Sequence, residues 1–107
     1  MFKEPQKYDV FQAIADPTRR KLLELLAVGQ MSIATLSGHF TMSRTAVTKH
    51  LSILEVAGLV SSQRAGREKL YQLEAQPLRT LKQWLEFYEQ FWDDKLEKLK
   101  MIVEEDK

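Results

Sequence analysis

Cysteine is absent from the 107-residue chain, so it has no disulfide framework, thiolate metal site or cysteine nucleophile. Only four glycines and three prolines occur, too few for a linker-rich or disordered polymer. No apolar run approaches the ~18 residues that a membrane span needs. The N-terminus lacks the charged, then apolar, then small pattern of a signal peptide. No Gly-rich phosphate loop, paired-carboxylate setting or Ser/His/Asp order stands out, so catalysis has no candidate residues. The expectation is a single cytoplasmic domain over 1–107, not an enzyme, with no cofactor, no metal and no membrane partner.

What is present is 44% apolar and 29% charged, enough to bury one core. The net charge of +1 is unevenly spread. Residues 41–73 sum to +3 through Arg44, Lys49, Arg64, Arg67 and Lys69 against Glu55 and Glu68, while residues 86–107 sum to −4. A basic middle points to an anionic partner, or to ordinary scatter.

The chain is clearly punctuated. Tyr8, Phe11, Ile14 and Ala15 recur at helical spacing and predict a first helix over about 6–15. Asp16-Pro17 starts a second helix carrying Leu22, Leu23, Leu25 and Leu26, stopped by Gly29. Ser32 caps a short third helix with Ile33, Leu36 and Phe40. After Thr41-Met42-Ser43, a fourth helix carries the stripe Val47, Leu51, Leu54 and ends at Gly58. Two helices joined by about three or four residues make a helix-turn-helix over about 32–58. Leu59-Val60 and Leu70–Leu73 read as short strands around a turn near Ala65-Gly66, a hairpin over about 59–73. Pro77 opens a long last helix, about 77–103. The fold class is therefore mainly α with a small β-hairpin, a winged helix-turn-helix.

With Val47, Leu51 and Leu54 facing inward, Arg44, Thr45, Thr48, Lys49 and Ser52 face outward. That face has no acid over residues 43–52. Hydroxyls with Arg and Lys are the groups that read base edges and phosphates, and one α-helix fits a major groove. The first turn, capped by Ser43, also offers amides to a phosphate. Arg64, Arg67 and Lys69 flank the hairpin turn; they suit a DNA backbone, or simply protect a strand edge. Arg19, Arg20 and Lys21 oppose the dipole of their helix, which suggests a phosphate contact or an ion pair, the latter favoured for at least one. His50 suits a phosphate or base contact as well as a plain helix surface. His39 is assigned no chemistry, and Asp93-Asp94 beside Lys95 and Lys98 reads as a solvated face. Trp84, Phe87, Tyr88, Phe91 and Trp92 exceed what a small core needs. They serve as core, as a dimer seam or as a small-molecule pocket; seam plus core is favoured, because an overhanging helix finds cover most readily in a symmetric partner.

Ala15-Asp16-Pro17-Thr18-Arg19-Arg20, Ser43 through His50-Leu51, and Leu54-Glu55-x-Ala57-Gly58-Leu59-Val60 together resemble the ArsR family of winged-helix repressors. The likeness continues through Gly66-Arg67, Tyr71, Leu73, Pro77-Leu78 and Phe91-Trp92. It implies a homodimer bound to a double-stranded operator, with the first and last helices paired across the dimer. Tyr8, Phe11, Leu81, Leu85, Tyr88, Trp92, Leu96 and Leu99 are the expected interface. Ser43, Arg44, Thr45, Thr48, Lys49 and His50 are the expected groove contacts, and Arg64, Arg67 and Lys69 the wing contacts. Metal-sensing members carry Cys-x-Cys near Ser32 and Ala34, or Asp and His on the last helix. Here that helix has no histidine, so the non-metal type is expected, with any small-molecule inducer unknown. The rival readings are a winged-helix interaction module that does not bind DNA and a small-molecule sensor built on the aromatic helix.

Overall fold

The computed structural model describes residues 8–105. Along them run α1 (Val10–Ile14), α2 (Pro17–Val28), β1 (Met31–Ser32), α3 (Ile33–Ser37), α4 (Arg44–Val56), β2 (Val60–Ala65), β3 (Glu68–Leu73) and α5 (Leu78–Glu105). The strands form one antiparallel sheet in the order β1-β3-β2.

Side-chain caps set most of the helix starts. Asp9 accepts from the Gln12 amide at 2.8 Å, and the Asp9 amide donates to Gln12 Oε1 at 2.9 Å. This reciprocal box starts α1 at Val10, later than the expected position of about 6; residues 6 and 7 lie outside the described residues. Asp16 accepts from the Arg19 amide, Ser32 from Thr35 and Ser43 from Ala46, each satisfying an amide that its helix leaves free. α4 ends in a Schellman arrangement. Gly58 takes φ +78, its amide donates to Glu55 O, and the Leu59 amide donates to Leu54 O, so the last carbonyls are paired and the chain turns sharply into β2.

Three expectations need correction. α3 stops at Ser37, short of Phe40, because the amides of His39 and Phe40 turn to the carbonyls of Leu36 and Ser37, a tighter i−3 pattern. The helix-turn-helix connection is thus residues 38–43, longer than three or four. β1 was not expected: two residues carry no alternation to read, and Ser32 is both strand partner of Leu70 and cap of α3. The hairpin strands reach further toward the tip than Leu59-Val60 and Leu70–Leu73, since the polar stretch between them also pairs, down to Ala65 opposite Glu68. Gly66, at φ +65, supplies the positive φ that begins the remaining two-residue turn.

One core holds these elements together. Leu22, Leu36, Val47, Leu51, Leu54 and Leu59 are fully buried, joined by Ala13, Leu23, Leu26, Val60 and Tyr71. The stripe read from α4 therefore anchors it between α2, α3 and the sheet. Among the described residues α5 joins this core through its first turns, Leu78 and Leu81, and through Trp84, whose ring meets Phe11 edge-on at 5.5 Å. A 28-residue helix is about 42 Å long, so most of α5 projects. The radius of gyration is 19.3 Å against about 13 Å for a compact chain of this length.

Candidate nucleic-acid interface

α4 separates its two faces cleanly. Val47, Leu51 and Leu54 are buried; Ser43, Arg44, Thr45, Lys49 and Ser52 are exposed, and Thr48 is half-buried. Thr48 Oγ1 donates to Arg44 O at 2.9 Å, and Ser52 Oγ donates to Thr48 O at 3.1 Å. With their protons turned along the helix, both hydroxyls present lone pairs outward, matched to amino donors on base edges. Arg44 and Lys49 supply donors on the same exposed surface.

The hairpin holds an electrostatic conflict. Arg64 and Lys69 stand directly opposite each other in the ladder, and both are exposed. Like charges in that position destabilise a bare hairpin, whereas an anion lying across them reverses the sign. Arg67 occupies the turn beside Gly66, exposed at the tip. Lys69 also sits over the Tyr71 ring, 5.3 Å from its centroid, which braces its stem. At the other end, Glu74 accepts from Ser61 Oγ at 2.7 Å and from Gln72 Nε2 at 2.9 Å, tying the two strands together. These two hydrogen bonds hold its carboxyl below the ordinary value.

The basic start of α2 is not arranged as expected. Arg19 Nε donates to Ala13 O at 2.7 Å and Nη2 to Gln12 O at 3.1 Å, while Arg20 Nη1 donates to Ile14 O at 2.7 Å. Lys21 Nζ donates to His39 O at 3.1 Å. Among the described residues these cations donate to the carbonyl end of α1 and the exit of α3 and form no salt bridge; the Arg19 and Arg20 charges that misfit their own helix fit the C-terminal end of the preceding one. His50 also departs from a purely outward role. Its Nδ1 lies 3.2 Å from Arg19 Nη1 and 3.9 Å from Asp16 Oδ2. Desolvation raises the Asp16 carboxyl, but the Arg19 amide, the His50 charge present once that ring is protonated in acid, and the Arg19 charge outweigh it and hold the group below its ordinary value. Sequence spacing gave no signal for this cluster, because residues 16, 19 and 50 meet only when α4 packs on α2.

The expected interface residues fall into three sets. Tyr8, Phe11 and Leu81 are half-buried and packed against the chain's own core, not free-standing. Leu85, Trp92, Leu96 and Leu99 are exposed, and so are Trp84, Phe87 and Phe91. Tyr88 is half-buried among the rings of Trp84, Phe87 and Trp92, all on α5 itself.

Comparison with known proteins places this geometry. The profile of the bacterial regulatory protein arsR family matches residues 16–62, from the Asp16 cap through α4 into β2. The transcriptional repressor SdpR of Bacillus subtilis is 39% identical over 77 residues, 72% of this chain and 86% of the relative. The chain belongs to the arsR family. A helix-turn-helix transcriptional regulator of Mycobacterium tuberculosis, Rv2034, is 36% identical over 85% of this chain and 80% of its own length. An ArsR-like transcriptional regulator from Rhodococcus sp. RHA1 has a similar structure, with a TM-score of 0.70 at 36% identity over 89% of this chain and 87% of that one. The fold is the winged helix of ArsR regulators, and the chain is a DNA-binding transcriptional regulator.

Proposed function

We propose that the chain acts as a homodimeric repressor that places α4 in the major groove of an inverted-repeat operator and rests its hairpin on the backbone. The observation that carries this reading is the pairing of an acid-free donor and hydroxyl face on α4 with the opposed cations Arg64 and Lys69. Ser43, Arg44, Thr45, Thr48, Lys49 and His50 meet the groove and its phosphates; Arg64, Arg67 and Lys69 meet the backbone. The chain works as one domain, by binding and not by catalysis, in the cytoplasm. Among the described residues no helix is long and apolar enough to cross a membrane. Two-fold symmetry sets the half-sites about one helical turn, ~34 Å, or a multiple of it, apart. SdpR is named as a repressor, which supports the same sign of regulation here.

A duplex selected from a random pool, titrated across a salt series beside a scrambled duplex, tests the division of labour. Each lost phosphate contact lowers the salt slope by about 0.9, and each lost base contact removes about 1–3 kcal/mol of discrimination. Arg67→Ala should weaken both duplexes together and flatten the salt slope. Thr48→Ala or Lys49→Ala should narrow the gap between the two duplexes. The reverse pattern would exchange the roles of helix and wing, and no binding to any selected duplex would end the reading.

A further inference from the structure

Arg19 stands in the first turn of α2, yet its guanidinium is engaged on three sides. Two nitrogens donate to Ala13 O and Gln12 O in the last turn of α1, and the third, Nη1, lies 3.2 Å from His50 Nδ1. One side chain therefore links the end of α1, the start of α2 and the middle of α4. A guanidinium has donors only. Its contact with Nδ1 is a hydrogen bond only if that nitrogen carries a lone pair, and a neutral imidazole then has its single proton on Nε2. Asp16 Oδ2, at 3.9 Å from Nδ1, is beyond hydrogen-bonding distance and does not draw the proton back.

We propose that Arg19 is a positioning residue for DNA binding, which holds His50 as the Nε2–H tautomer so that the ring offers a donor to a phosphate oxygen. This rests on α4 being the DNA-reading helix. Phosphate oxygens only accept, so the opposite tautomer would turn a lone pair toward them and lose the contact. Arg19 is itself too occupied to reach a phosphate without giving up the carbonyls of α1. It acts through His50.

Two measurements on the full chain test this. Long-range nitrogen–proton spectra, taken well above the ordinary histidine pKa of about 6.5, report which ring nitrogen carries the proton. Wild-type His50 should be protonated on Nε2 alone, and a ring protonated on Nδ1 would overturn the assignment. The second measurement is a double-mutant cycle on a mixed-sequence duplex of about 30 base pairs at low salt. His50→Ala and Arg19→Met should each weaken binding by about 3- to 10-fold. The double variant should be no more than about twofold weaker than His50→Ala alone, because the removed contact is the same one. Additive losses would instead mean that Arg19 contributes bulk charge or general stability, and would refute the proposal. Arg19→Lys, which keeps the charge but lacks the planar fork that reaches three separated acceptors from three nitrogens, takes the place of Arg19→Met if thermal melting shows the latter unfolded. A wild-type chain that bound no duplex would remove the DNA reading and the phosphate role with it, while the spectra would still decide whether Arg19 sets the ring.

Discussion

Replacing Leu96 with glutamate should separate dimer formation from folding. Leu96 is 63% exposed in the single chain and lies far along α5 from Leu78 and Leu81, where that helix meets the core. The monomer should therefore fold unchanged. Leu85, Tyr88, Trp92, Leu96 and Leu99 follow one another at spacings of three and four, the seam of a helix pair. Full burial of a leucine is worth about 2 kcal/mol, so covering the exposed share of Leu96 contributes about 1.3 kcal/mol per protomer. Two-fold symmetry doubles this to about 2.5 kcal/mol, and 1.4 kcal/mol is a factor of ten, so dimer dissociation should strengthen by roughly 50- to 100-fold. The buried glutamates can only add to that loss. Sedimentation velocity across a micromolar dilution series reads the constant, and circular dichroism checks the fold. A dimer constant unchanged by Leu96→Glu, with the fold intact, would place the interface elsewhere; a wild-type monomer at these concentrations would refute dimerisation through α5 outright.

Asp16 has a lowered folded-state pKa, so its contribution to stability is full above the ordinary carboxylate value and is lost as pH falls through the lowered one. Asp16→Asn keeps a capping side chain and should flatten the acid limb of stability against pH; an unchanged limb would show that the carboxylate charge is not used. Leu51→Ala, at a fully buried site of α4, should cost about 2–5 kcal/mol in urea unfolding, and a cost near zero would contradict the core described here. Titrating zinc into the protein–duplex complex should leave its affinity unchanged, since the described residues gather no group of three or more His, Cys, Asp or Glu; release of the duplex at stoichiometric zinc would overturn the non-metal reading.

Caps and periodicity lie within a few residues of one another, which is why so much of the helical framework was legible. Asp16-Pro17, Ser32, Ser43 and Gly58 mark helix ends through contacts reaching no further than five residues along the chain. The stripe Val47, Leu51, Leu54 determined which side of α4 would be buried, and hence that Arg44, Thr45 and Lys49 would face out. The ArsR likeness was carried by these same stretches. Tertiary structure decided what depended on partners distant in sequence. β1 exists only because β3 lies beside it, so Met31-Ser32 alone held no signal. The opposition of Arg64 and Lys69 followed from hairpin register, set by a turn two residues long where a nine-residue polar stretch had left the pairing open. Arg19, a cation misplaced on its own helix, found its purpose only when α1 ended against it and α4 brought His50 within 3.2 Å. Local chemistry determines where a helix starts, stops and turns its apolar side; which distant groups then meet is decided by packing, because their energies exist only after the chain has folded.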